Sequence, residues 1–258
     1  MTTHAVRIHE HGGPESLRFE PVDVPDPGPG EVRIRQTAVG LNFIDVYHRT
    51  GLYPVPSLPA ILGREAAGTV VAVGDGVEDF AVGDRVAYPM DPGAYAEVRN
   101  ASARVLVRLP DTIDDRTAAA SMLKGLTAWY LLRKIRPVRA GDTILVHAAA
   151  GGVGQIACQW AAHLGATVIG TVGSTDKAAI AKAHGCAHTI LYREQDIAER
   201  VGEITGGRGV PVVYDSVGKD TIDASLASLA PRGLLVSFGQ SSGSPPPLDL
   251  QRLSRGGS

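Results

Sequence analysis

The chain has 258 residues, a formal net charge of −2, and 44% hydrophobic against 20% charged residues, which suits about one to two globular domains. The near-neutral balance lacks the clustered excess of Lys and Arg that a nucleic-acid surface needs, so no nucleic-acid partner is expected. Two cysteines, Cys158 and Cys186, are too few for a disulfide framework, and no uncharged apolar run approaches the ~18 residues of a membrane-spanning helix.

The opening Met1-Thr2-Thr3-His4-Ala5-Val6-Arg7 lacks the apolar run of a signal peptide, and the expected location is the cytoplasm. Residues 1–110 then carry short runs broken by Gly and Pro. Val32-Arg33-Ile34-Arg35 alternates at period two, as a half-buried strand does. Gly68–Gly74, Arg85–Tyr88 and Tyr95–Val98 predict further strands, and the Pro25–Gly30 stretch predicts a loop. This half predicts a β-rich domain.

After Pro110 the period changes. Residues 117–135, rich in Ala and Leu, predict a helix. From Thr143 strands and helices alternate: strand 143–146, helix 155–164, strand 167–172, helix 175–184 capped by Ser174, strand 188–191, helix 195–204, strand 211–215, helix 219–230 and strand 234–238. Continuous apolar strands between helices imply a parallel sheet covered on both faces. The fold class is therefore α/β, with a doubly wound dinucleotide-binding sheet after the β-rich domain.

Ala148-Ala149-Ala150-Gly151-Gly152-Val153-Gly154 follows a strand and opens a helix. In that context Gly151 permits a tight turn, Gly154 permits close helix–strand packing, and the helix N-terminus offers N–H groups to a pyrophosphate. Ala149 stands where a strict G-x-G-x-x-G pattern has its first glycine. A site for NAD would carry an acid about 20 residues on, to bind the ribose 2′-OH. Here Thr171-Val172-Gly173-Ser174-Thr175-Asp176-Lys177 offers hydroxyls and a cation, which favours the 2′-phosphate of NADPH. Asp176 facing the ribose would blur that preference, and Lys177 could instead belong to a solvated helix face.

No metal is expected. A catalytic zinc takes about three protein ligands, and neither the two cysteines nor the eight histidines show ligand spacing. His147, closing a buried strand, reads as structural. Without a Lewis acid, hydride transfer to an acceptor that stabilises its own charge is easier than alcohol oxidation, and quinones and conjugated enones are such acceptors.

Pro59-Ala60-Ile61-Leu62-Gly63-Arg64-Glu65-Ala66-Ala67-Gly68, continuing to Gly83-Asp84-Arg85-Val86, resembles the catalytic-domain hallmark of medium-chain dehydrogenases/reductases. Gly141-Asp142 to Leu145, Ala149–Gly154 and Gln159 resemble the zinc-free quinone oxidoreductase, or ζ-crystallin-like, branch. The resemblance implies a GroES-like catalytic domain over 1–122 and a Rossmann NADPH-binding domain over 123–258. It also implies a longer family chain, so this one is expected to be incomplete at its C-terminal end and to form a homodimer when full length. Zinc members carry Cys at the position of Asn42 and His at that of Arg64.

By the same resemblance, Asn42, Asp45, Tyr47 and Tyr53 match positions lining the nicotinamide and substrate cleft, and Lys124 and Thr127 lie near the cofactor. Gly151, Gly152, Val153 and Gly154 match the pyrophosphate loop. Gly173, Ser174, Lys177 and Tyr192 match the 2′-phosphate pocket, and Ser216, Phe238 and Ser241 the cofactor cleft. Plainer roles stay open: Asp45 as a helix cap, Tyr53 as a turn aromatic, Tyr192 as a strand end. The implied activity is NADPH:quinone reduction, with a small-molecule quinone as substrate and no membrane partner. The alternatives are an enone or alkenal reductase, and an NADPH-binding crystallin-like chain with little turnover.

Overall fold

Short alternating runs at the start of the chain become antiparallel strands in the computed structural model, which describes residues 1–254. The Gly256-Gly257-Ser258 ending lies outside the described residues. The chain divides into two units, Met1–Leu123 and Lys124–Ser258.

The first unit contains β1 (Thr2–Ile8), β2 (Arg18–Asp23), β3 (Glu31–Gly40), α1 (Phe43–Thr50), β4 (Ala60–Ile61), β5 (Glu65–Val73), β6 (Arg85–Pro89), β7 (Val98–Ser102) and β8 (Val107–Arg108). They form two antiparallel sheets, ordered β2-β1-β4 and β7-β3-β5-β6-β8. Val32, Ile34, Val70, Val86 and Tyr88 make the core between strands. Arg33, on the opposite face of β3, is buried as well, because Asp26 and Asn100 hold its guanidinium at 3.0 and 3.3 Å.

One expected strand moves. Residues 95–97 of the expected 95–98 strand are not strand; β7 begins at Val98. The Tyr95 N–H donates to the Leu62 carbonyl at 2.8 Å and Ala96 bridges to Ala5, so this stretch is stitched to other segments before β7 can pair with β3.

α2 (Asp115–Tyr130) closes the first unit and opens the second, and a π-helical turn over Leu131–Ile135 replaces the last turn of the expected helix. Then follow β9 (Thr143–Val146), α3 (Gly152–His163), β10 (Thr167–Val172), α4 (Thr175–Ala183), β11 (His188–Leu191), α5 (Ile197–Thr205), β12 (Val210–Asp215), α6 (Ile222–Ala227) and β13 (Leu229–Ser237). The five strands form a parallel sheet in the order β11-β10-β9-β12-β13. Alternate residues of β9 feed two different cores: Ile144 and Val146 pack on one face and Leu145 on the other. That is why this strand is apolar without interruption.

The largest differences from the expected boundaries fall in three elements. α3 begins at Gly152 rather than residue 155, because a glycine N-cap followed by small residues lets the helix start inside the loop. α6 covers only Ile222–Ala227, since the Asp215 carboxylate accepts from the N–H groups of Val217 and Gly218 and from the Thr221 hydroxyl, which folds 216–221 into a turn. Leu229 belongs to β13, five residues before the expected strand start. Among the described residues no helix is long and apolar enough to cross a membrane.

Candidate active site

In the first unit β3 ends at Gly40, where any Cβ would collide with the Glu65 side chain and the Ala119 carbonyl. The chain then turns into α1. Asn42 is its N-cap, and Asp45 at the third helical position accepts the Asn42 backbone N–H on Oδ2 at 3.0 Å. The capping role of Asp45 is thus real, but it is not the whole of it. The same oxygen accepts from Tyr95 Oη at 2.7 Å, while Oδ1 is buried and has no hydrogen-bond partner. Burial pushes the Asp45 carboxyl above its usual range, against the pull of Tyr95, the Asn42 N–H, His48 and Arg64. Tyr47 is buried, and Tyr53 sits in the turn after α1 with the two ring centroids 4.9 Å apart. The structure therefore brings Asn42, Asp45, Tyr47 and Tyr53 together on and just after α1.

Three neighbours escaped the sequence reading. Glu65, fully buried at the start of β5, accepts from Asn42 Nδ2 on Oε1 at 2.7 Å and from the Leu123 N–H on Oε2 at 2.7 Å. Tyr95 reaches Asp45 from the stitched segment. His48 meets the Arg64 guanidinium through Nε2 at 2.6 Å, and burial followed by the Arg64 charge lowers its pKa. A charged residue at the head of an apolar strand, as in Arg64-Glu65-Ala66-Ala67, was the one available signal for Glu65.

In the second unit the β9–α3 loop turns at Ala148, whose φ of 51° is left-handed backbone and costly for a residue with a Cβ. The Gly151 N–H closes the turn on the Ala148 carbonyl at 2.8 Å. Gly151 is the N-cap of α3 and supplies no side-chain cap, so the first-turn N–H groups of the helix stay open to an anion. A Cβ on Gly154 would strike the carbonyl oxygens of Ala148 and Ala149, so only glycine packs there. A Cβ on Gly152 would meet Lys124 Cδ and Cε at 2.9 Å, which places the Lys124 stem over the loop. Thr127 follows three residues later on α2, the spacing of one helix face. Val153 lies in the first turn of α3.

At the end of β10, a Cβ on Gly173 would lie 2.8 Å from Tyr192 Oη, and Ser174 caps α4 by accepting from the Lys177 N–H at 3.4 Å. Lys177 is exposed, and so is Tyr192. At the end of β12 the Ser216 carbonyl accepts from the Ser241 N–H at 3.1 Å, and the Phe238 N–H donates to the Asp215 carbonyl at 2.8 Å. Ser216, Phe238 and Ser241 thereby share one end of the sheet. These residues suit a dinucleotide with an extra phosphate: open helix N–H groups, a hydroxyl, a cation and a phenol, with no acid on the strand end.

The residues do not suit zinc. Asn42 spends an amide hydrogen on Glu65, and Arg64 is a cation. No group of three His, Cys, Asp or Glu is placed to hold a metal ion among the described residues. Cys158 and Cys186 are buried against each other, and their contact raises the thiol of Cys158 and lowers that of Cys186.

Residues 28–111 match the alcohol dehydrogenase GroES-like domain, and residues 152–257 match the family described as zinc-binding dehydrogenase. A quinone oxidoreductase of Pseudomonas aeruginosa is 55% identical over 254 residues, which is 98% of this chain and 78% of that one. A 2-haloacrylate reductase of Burkholderia sp is 51% identical over 95% of this chain and 75% of the relative. The crystal structure of Escherichia coli quinone oxidoreductase complexed with NADPH has a TM-score of 0.96 at 51% identity, covering 100% of this chain and 78% of that chain. The chain belongs to the quinone oxidoreductase family of the medium-chain dehydrogenases/reductases.

Proposed function

We propose that this protein transfers reducing equivalents from NADPH to a quinone without a metal. The observation that carries the reading is the uncapped N-terminus of α3 together with Gly173, Ser174 and Lys177 at the end of β10, where an NAD site would place an acid. When bound, NADPH supplies the hydride from its nicotinamide ring. Gly151, Gly152, Val153 and Gly154 hold the pyrophosphate; Ser174, Lys177 and Tyr192, beside Gly173, hold the 2′-phosphate. Lys124, Thr127, Ser216, Phe238 and Ser241 line the cofactor. In the first unit, Tyr47 and Tyr53 offer flat faces with a hydroxyl to a ring substrate. Asn42, whose Nδ2 donates to Glu65 at 2.7 Å and to the Gly40 carbonyl at 3.5 Å, is held with its amide towards the ring substrate or carboxamide, and Asp45 fixes the start of α1 on which Asn42 stands. The protein thus contributes proximity and orientation.

The test is loss of the reduced-nicotinamide absorbance with benzoquinone, using NADPH and NADH in parallel. Turnover with NADPH, well above that with NADH, is expected; turnover with neither would sink the reading. A second reading is reduction of an activated C=C bond, favoured by the similarity to 2-haloacrylate reductase. Turnover of an enone without turnover of benzoquinone would replace the first reading by the second. The assembly proposed is a homodimer in the cytoplasm, and light scattering coupled to size exclusion checks its mass.

A further inference from the structure

We propose that His147 is a positioning residue for the cofactor: a one-way chain of buried hydrogen bonds through its imidazole sets the spacing of the loops that follow β10, β9 and β12. The inference rests on reading the second unit as an NADPH site.

His147 is the first residue after β9 and is 1% exposed. Its Nδ1 lies 2.9 Å from Thr171 Oγ1 on β10, and its Nε2 lies 2.9 Å from Ser225 Oγ on α6. Ser225, fully buried, reaches Asp215 Oδ2 at 2.7 Å. Asp215 Oδ1 accepts the N–H groups of Val217 at 2.8 Å and Gly218 at 3.1 Å, and the Thr221 hydroxyl reaches the same carboxylate at 2.8 Å.

These contacts determine where each proton sits. A carboxylate accepts only, so the single hydrogen of Ser225 points at Asp215. The Ser225 oxygen must then accept from His147, and the imidazole hydrogen is on Nε2. Burial lowers the pKa of His147, so the ring is neutral and Nδ1 is bare. Thr171 Oγ1 donates to it. The tautomer follows from the network, and the donors run in one direction: Thr171 to His147 to Ser225 to Asp215.

Each member is tied to a different part of the proposed cofactor site. Thr171 stands two residues before Gly173, and its carbonyl accepts from the Ala149 N–H of the glycine loop at 3.1 Å. The His147 N–H donates to the Tyr214 carbonyl at 3.0 Å, one residue before Asp215. Asp215 folds the turn that begins at Ser216. A shift of the imidazole therefore reaches the pyrophosphate loop, the 2′-phosphate loop and the Ser216 turn at once. Thr171, His147, Asp215 and Ser225 are each no more than 1% exposed, so none of them touches the cofactor. Their effect falls on how tightly the dinucleotide binds rather than on the chemical step.

The test uses the whole chain and calorimetric titration with NADP⁺. The variants are Ser225→Ala, Thr171→Val and His147→Phe. A control, Thr205→Val, removes a buried hydroxyl that bonds Val201 and Gly209 near the opposite end of β12. For Ser225→Ala and Thr171→Val the expected result is NADP⁺ binding weakened about tenfold or more, with kcat at saturating NADPH changed less than about twofold. Thr205→Val should lower the melting temperature and leave NADP⁺ affinity within about twofold. Unchanged affinity in the folded Ser225 and Thr171 variants would overturn the inference. So would an equal loss of affinity in Thr205→Val at matched melting temperature. If the unmodified chain does not bind NADP⁺, the cofactor reading itself fails and takes this inference with it.

Discussion

Two buried polar clusters, one in each unit, differ in how completely they are paired. Around His147 every donor points at an acceptor, and Asp215 alone collects four partners. Around α1 the pairing is incomplete: Asp45 Oδ1 and His48 Nδ1, three residues apart, are buried without a hydrogen-bond partner. Among the described residues the only other such side-chain atom is Arg200 Nε. An unpaired buried polar group costs about 1–3 kcal/mol, so it persists where the surroundings over-determine it. A satisfied network makes rigid scaffold; an unsatisfied one holds polar groups ready for something else. The first unit keeps its loose ends beside the tyrosines proposed to meet substrate, and the second keeps its rigidity beneath the loops proposed to hold the cofactor.

The same substitution in both clusters should expose the difference. Asp215→Asn removes a charge-assisted acceptor from four donors and is expected to cost about 2–4 kcal/mol in denaturant unfolding. A cost under about 1 kcal/mol would mean the network is not holding the second unit together. Next in size, Gly154→Val drives a side chain into the Ala148 and Ala149 carbonyls. NADP⁺ binding should weaken about 100-fold, measured by calorimetry, whereas the quinone contacts proposed in the first unit are untouched. Lys177→Ala should lower the preference for NADP⁺ over NAD⁺ by about tenfold, since one exposed cation faces the proposed 2′-phosphate.

The pH dependence of stability separates the buried histidines from the buried carboxyl by sign. His147 and His48 both have folded pKa values below the ordinary 6.5, with burial the leading cause. As pH falls below 6.5 the unfolded chain takes up protons that the folded chain refuses, so this stability is lost on acidification. His147→Phe should flatten the loss. Asp45 acts in the other direction. Its raised value favours the neutral form in the fold, so its contribution is fully present below 3.8 and is lost as pH rises through the folded value. Unfolding free energies at several pH values check both slopes. The smallest effect is expected for Asp45→Asn, which replaces a carboxyl already pushed towards neutrality: within about 1 kcal/mol. A much larger loss would show that the unpaired oxygen hides a partner.

The parallel sheet was legible because buried strands write themselves as continuous apolar runs, and β10 and β11 begin and end where the pattern says. Ser174 as the cap of α4 was equally plain. The site residues were named through the family pattern, and the structure groups them by loop. What stayed hidden depends on pairing across distance. His147 reads as a structural histidine because its partners lie 24 and 78 residues away. The Asn42–Glu65 bond spans 23 residues and joins the cap of α1 to the start of β5. The helical spacing of Ile222, Leu226 and Leu229 predicts a longer α6 than forms, because a side chain, Asp215, decides where the helix can start. The segment 95–97 has strand-like residues, yet the Tyr95, Ala96 and Glu97 N–H groups go to Leu62, Ala94 and His4.

Among the described residues β13 is one of the two edges of the parallel sheet. Its path is broken in the middle: Pro231 lacks an N–H, Arg232 has a φ of 62°, and the register against β12 slips between Val210 and Val212. Only Leu234–Ser237 pair in regular succession. A stray extended chain therefore finds a short straight template on this side, too short for a growing fibril to lengthen against. Straightening the kink, with residues that favour extended backbone at 231–233, would turn a poor template into an adhesive one.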